Sequence, residues 1–285
     1  MRRRRAGRAL LLLLAALYGL FPIYYITVQS LKTPEEDVFG NPLYVADPSF
    51  ENYTELFEEG DDAPVRGFVI LPRVPFALWV LNSTIVLTAT VVLTLLAGIP
   101  AAYALGRLRP PGFRWWRRVI FATYVIPHTI LFVPLYQVVL ALHLDDNLLA
   151  LLLVYPTLAL PFCVWILSAY FQHLPREIEE AALVEGAGRV RAFFRVILPM
   201  SWPVIVAAGI FALGTIASDF TLASVFLLDA HNKTIPAGLA TMEVALDELL
   251  AVAGINLMAI PVVLICAVFA RGYVRGLTAA MVEGA

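Results

Sequence analysis

Long apolar runs separated by short polar segments recur six times along the chain, at about 9–30, 76–105, 119–142, 148–171, 202–228 and 250–270. A helix needs about 20 mostly apolar residues to cross a hydrocarbon core. The pattern therefore predicts an all-α, polytopic membrane protein with six transmembrane helices. Pro22, Pro100, Pro127, Pro134, Pro156, Pro161 and Pro261 fall inside these runs. Within a bundle such prolines are tolerated, because neighbouring helices satisfy the freed carbonyls. Ala97, Gly98, Ala101 and Ala102 predict a close helix contact on the second span.

Composition agrees with the pattern. Hydrophobic residues make up 60% of the 285 and charged residues 15%, far fewer charges than a water-facing surface carries. The cysteines, Cys163 and Cys266, both sit in apolar runs and read as small packing residues. Residues 2–5 are all arginine, like the start of a signal peptide. The following run is long enough to span, however, and no cleavage site clearly ends it. Charge sets the orientation. With the N-terminus in the cytoplasm, 16 of the 20 basic residues fall on the cytoplasmic side and 16 of the 22 acids outside, as the positive-inside rule requires. Both termini are then cytoplasmic. The chain divides into a terminus and first span (1–30), an acidic external loop (31–75) and a five-span core (76–285). The last external loop, 229–249, is expected to be helical through 242–250.

One cytoplasmic segment stands out, 172–199. Pro175 suits a helix start, and Glu177, Glu179 and Glu180 suit its positive end. Gly186 is a natural stop. A second short helix is expected from Arg189 to Ile197, ending before Pro199. The first helix is expected to expose Ala181 and Ala182 beside Glu180. Two alanines would let another protein's backbone approach closely. Phe193, Phe194, Val196 and Ile197 are expected to anchor the second helix to the spans.

The order Glu180-Ala181-Ala182, three residues, Gly186, nine residues, Val196, one residue, Leu198-Pro199 resembles the EAA loop of permease subunits in binding-protein-dependent ABC importers. The family usually has Ile where Val196 stands and often Asp where Glu185 stands. The likeness continues through Leu81-Asn82-Ser83, Ala101 to Leu105 with Arg107 and Pro111-Gly112, Leu160-Pro161-Phe162 and Arg275 to Ala279. These are similar to the six-span, maltose-type carbohydrate branch. The resemblance implies a type I importer fold and a coupling helix seated in a cleft of an ABC ATPase. It gives that role to Glu180, Ala181, Ala182, Glu185, Gly186, Leu198 and Pro199. It also implies a second permease subunit, an ATPase dimer at the cytoplasmic face and an external binding protein that delivers a sugar, such as maltose or trehalose. The fifth span departs from the branch. Ala217-Ser218 stand before Asp219-Phe220 where relatives commonly have Trp-Asn. At the end, residues 281–285 replace the common Lys-Gly.

Asp219 is the one formal charge placed well inside a predicted span, so it should face the bundle, a partner or water. Two readings stay open for it: a pathway or gating residue, or a structural group at a subunit interface. Asn82, Ser83 and Phe220 join it as candidates for the pathway or the subunit contact. Tyr124, Tyr136, Tyr155 and Trp165 are candidate sugar-stacking aromatics. His128, His143, His173 and His231 lack metal-ligand spacing. No phosphate-binding G-x-x-x-x-G-K-[ST] loop occurs. The chain is therefore expected to bind no cofactor itself, with ATP and Mg²⁺ on the partner ATPase, and to have no nucleic-acid role. An intramembrane enzyme using Asp219 would need a second carboxylate to share its proton, and the spans hold none. The same machine for a polyol, a glycerol phosphodiester or an oligopeptide is the alternative within the class.

Overall fold

The computed structural model describes residues 2–58, 65–66, 69–70, 74–244 and 248–282. The fold is all-α. Among the described residues, four helical segments are long and apolar enough to cross a membrane: Leu10–Ser30, Phe76–Leu108, Leu148–His173 and Glu248–Ala270. Two bent pairs, each counted as one span, bring the number to six.

Helix α1 (Arg2–Ser30) leads into α2 (Pro34–Phe39) and α3 (Glu51–Phe57). Thr33 caps α2 by accepting the Glu36 N–H at 3.3 Å, with Pro34 in the first turn. The buried Asn52 amide donates to the carbonyls of Ser30 (2.9 Å) and Lys32 (2.8 Å), folding this segment back on α1. Two-residue strands β1 (Val65–Arg66) and β2 (Val69–Ile70) pair antiparallel. The acids Glu59, Asp61 and Asp62 and the base Arg73, counted as external from the sequence, lie outside the described residues.

The second span is α4 (Phe76–Tyr103), extended by a π-helical turn, Ala104–Leu108, that Arg109 closes in a left-handed conformation (φ 50°). The expected third span, 119–142, is broken. It comprises α5 (Phe113–Val125) and α6 (His128–Ala141), and the segments Phe113–Val125 and Ile130–Ala141 cross at 99°. Pro127 explains the break: it offers no N–H and holds Ile126 extended (φ −68°, ψ 124°). Helix α7 (Leu148–His173) starts at Asn147, whose side chain accepts the Leu149 N–H. It is the central helix, buried on several faces and packed by α4, α5 and α11.

After α8 (Arg176–Val184) and α9 (Arg189–Ala192), a π turn (Phe193–Ile197) continues into α10 (Leu198–Met200). The helical path therefore runs through Pro199 instead of stopping before it. Leu198 keeps helical dihedrals, and its N–H reaches back to the Phe193 carbonyl in the wider turn. Such a turn accommodates a residue that cannot donate. At Ser201 the chain bends 72° into α11 (Trp202–Ala217). The fifth span, expected at 202–228, breaks again at residues 218–220 before α12 (Thr221–Phe226). Helix α13 is Ile235–Val244 and α14 is Glu248–Val282. The helix expected at 242–250 is thus divided between α13 and α14, and residues 245–247 lie outside the described residues, as do 283–285.

Candidate functional site

Helix α8 forms as its sequence dictates. Pro175 precedes it and Glu177 and Glu179 occupy its first turn. Its end is a paired C-cap. Gly186 adopts φ 87°, its N–H bonds the Leu183 carbonyl at 3.0 Å, and the Ala187 N–H bonds the Ala182 carbonyl at 3.0 Å. A side chain at that φ is strained, so glycine is required there. Glu180, Ala181, Val184, Glu185 and Gly186 are all exposed, Val184 by 88%. Ala182 is buried (9% exposed), which corrects the expectation that both alanines face outward. Helical spacing explains it: Ile178 and Ala182 lie one turn apart on the face turned to the bundle. The small outward surface is therefore Glu180 and Ala181, with Val184 and Glu185 one turn on.

An anchor that the sequence reading missed holds α8 in place. The Arg107 guanidinium donates from Nε to Glu179 Oε2 (2.6 Å), and to the Leu174 and Pro175 carbonyls (2.5 and 3.0 Å). Tyr103 donates its hydroxyl proton to Glu179 Oε1 at 2.9 Å. The Arg107 and Glu179 side chains are only 8% and 12% exposed. Burial raises the Glu179 pKa, but the hydrogen bonds from Arg107 and Tyr103 and the nearby Arg107 and Arg189 charges outweigh it and hold it below the usual carboxylate range. Tyr103 also packs edge-on to Phe171 (5.7 Å) and against Phe193 (4.6 Å). The end of α4, the end of α7, the start of α8 and the π turn after α9 thus share one clamp.

The second arm behaves in part as expected. Phe193, Ile197 and Leu198 pack into the core, while Phe194 is 60% exposed and Pro199 exposed. Arg189, Arg191 and Arg195 are exposed.

Asp219 sits at the break between α11 and α12, not within a continuous span. Its Oδ2 accepts the Tyr155 hydroxyl (2.9 Å) and the Leu222 and Ala223 N–H groups (3.2 and 3.4 Å). It caps α12, which satisfies backbone groups that the break would strand. Phe220 is 54% exposed. Asn82 and Ser83 hold an intrachain joint. The Asn82 amide donates to the His231 and Lys233 carbonyls (2.8 and 3.0 Å), and Ser83 Oγ accepts the Ile235 N–H (2.8 Å). Trp79 Nε1 donates to the Ala230 carbonyl beside them. Ser83, Tyr155 and Asp219 line one largely apolar cavity of about 310 Å³ between α4, α7, α11 and α14. Of the other aromatic candidates, Tyr124 packs on Phe162 and Tyr136 stacks on Phe226.

Residues 94–279 match the family described as binding-protein-dependent transport system inner membrane component. The chain belongs to this family. The permease is also similar to the sulfoquinovosyl glycerol transport system permease protein SmoH of Agrobacterium fabrum, with 32% identity over 93% of this chain and 90% of that one. It is 31% identical to the trehalose transport system permease protein SugB of Mycobacterium tuberculosis, over 99% of both chains. With the trehalose/maltose permease protein MalG of Thermococcus litoralis it shares 27% over 100% of both. Among solved structures, a chain of a bacterial ABC transporter that imports the acidic polysaccharide alginate superposes with a TM-score of 0.76 at 22% identity, covering 95% of this chain and 96% of that one. That likeness carries the fold, the type I ABC importer permease fold. The permease is thus a multi-pass membrane subunit of the sugar ABC importer family and works with other subunits of a complex.

Proposed function

We propose that this permease carries a carbohydrate, a disaccharide such as maltose or trehalose or a related glycoside, delivered by an external binding protein. The relatives' names support this substrate class: one is a trehalose permease, one a trehalose/maltose permease, and one acts on a glycerol glycoside. The complex would pair this chain with a second permease and two ABC ATPase subunits, which bind ATP and Mg²⁺. The distribution of arginine supports cytoplasmic termini and a cytoplasmic 172–199 loop.

The observation that carries the coupling role is the contrast between the two faces of α8. Its inner face is clamped through Glu179 to Arg107 and Tyr103, and its outer face, Glu180, Ala181, Val184 and Glu185, is left open. A helix held this way moves as one body with the ends of α4 and α7. Closure of the ATPase dimer pushes the outer face, the clamp passes the displacement to two spans, and the spans switch between inward- and outward-facing arrangements. Gly186 ends the helix so that Ala187 and Gly188 turn towards the second arm. Leu198 and Pro199 connect that arm to α11.

The test is uptake. Glu180→Lys and Gly186→Leu should each abolish sugar uptake while the chain stays in the membrane at wild-type level. Normal uptake by both variants would refute the coupling role. The solute itself is read from binding of maltose, trehalose and a glycerol glycoside to the partner binding protein.

A further inference from the structure

A second feature at the coupling-loop end lies outside the coupling surface. Arg109, Arg114, Arg117 and Arg118 surround a cleft of about 410 Å³ between α5 and the last turns of α7, walled by Phe121 and Trp165. Helix α5 runs antiparallel along α7: Arg117 Nη1 donates to Gln172 Oε1 (2.8 Å), Phe121 meets Trp165 (5.3 Å) and Tyr124 meets Phe162 (5.4 Å). Arg117 Nε is buried and has no acceptor. The Arg109 and Arg114 guanidinium carbons lie 5.9 and 5.8 Å from the Phe113 ring. Among the described residues, no carboxylate pairs with any of the four arginines.

Four cations around one cavity, one with a buried donor lacking an acceptor, call for an anion with several acceptor oxygens. Arginine forks match phosphate in this respect. The rest of the surface selects the source. Trp115 and Trp116, on the same helix, are 59% and 50% exposed, as indoles are at the level of lipid headgroups. Further along α5, Val125 and Ile126 are 66% and 40% exposed, an apolar track where an acyl chain can lie. We propose that this cleft binds the phosphate of an anionic phospholipid, with its chains along the outer face of α5. Basic pockets between spans recognise such headgroups by charge. The lipid then touches the last turn of α7, two residues before the Leu174 carbonyl that Arg107 holds.

The experiment is native mass spectrometry of the purified full chain and of the assembled importer. Each is supplied with phosphatidylglycerol or phosphatidylcholine of matched chains, with inorganic phosphate as competitor. Each arginine contributes roughly fivefold in preference for anionic lipid. Phosphatidylglycerol should be retained by roughly tenfold or more over phosphatidylcholine, and inorganic phosphate should not displace it. Arg114→Gln with Arg118→Gln should bring the two lipids close to parity with unchanged helical circular dichroism, whereas Arg117→Lys should keep the preference. The proposal is overturned by equal retention of both lipids, by a preference that the double variant leaves intact, or by displacement with free phosphate, which would make this a site for small anions. Loss of the preference in the assembled importer, as when an acidic segment of another subunit fills the cleft, overturns it as well.

Discussion

At the scale of single residues, Glu179, Arg107 and two glycines, Gly106 and Gly186, set the geometry of the α8 end of the bundle. Losing Glu179 strands the Arg107 cation among the carbonyls of Leu174 and Pro175 and leaves the Tyr103 hydroxyl without its acceptor. Hydrogen bonds to charged groups contribute about 1.5–3 kcal/mol. Glu179→Gln keeps one acceptor oxygen but removes the charge and sets an NH₂ group where the other oxygen stood, so it should lower the unfolding temperature of the solubilised permease and uncouple transport from ATP hydrolysis. The sign with pH follows from the depressed Glu179 pKa. Its contribution is complete above the ordinary glutamate value of 4.5 and is lost as pH falls through the lower folded value. Thermal melts of wild type and Glu179→Gln should differ at neutral pH and converge in acid; a constant difference would contradict the pairing. Gly106 is required for a different reason. A Cβ there would stand 2.5 Å from the Ser168 carbonyl oxygen and 3.1 Å from Phe171 Cβ. Gly106→Ala should force α4 from α7 and cost about 1–3 kcal/mol, read as a lower melting temperature.

At the scale of elements, the structure differs from the sequence reading mainly where helices break. The Asp219 carboxylate holds one such break together by capping α12 and accepting from Tyr155. Asp219→Asn keeps a carbonyl acceptor and should transport nearly as wild type does. Asp219→Ala should lose stability by roughly 1–2 kcal/mol and lose uptake with it. Failure of both variants alike would favour a role for the charge itself. The apolar runs were long enough to reveal the spans, because each must fill the bilayer. The breaks at Pro127 and at residues 218–220 were not legible, because a proline or an acid in an apolar run is equally compatible with a kinked helix and a broken one. The face of α8 was half legible. Helical period placed Ala181 and Ala182 little more than a quarter of a turn apart, but only the bundle beneath decided that Ala182 turns inward. The clamp could not be read at all, since Arg107 and Glu179 are 72 residues apart and each had an adequate local explanation as a loop charge or a helix-start charge.

At the scale of the whole molecule, two regions organise the two ends of the core. At one end, Asn82, Ser83 and Trp79 fasten the 230–235 segment to the start of α4, and the Asp146 carbonyl and carboxylate tie residues 228–232 to the loop before α7. At the other, the Arg107 clamp fastens α8. Both regions bear on α4 and α7, so a displacement at α8 has a rigid route through the bundle. If α8 receives motion through its outer face, that face must touch the ATPase and the inner face must not. A photo-reactive amino acid placed at Val184 in native membranes should form an ATP-sensitive crosslink to a subunit bearing a nucleotide-binding loop, and one placed at the buried Ala182 should not. A crosslink from Val184 to another subunit alone, or to none while uptake persists, would contradict it.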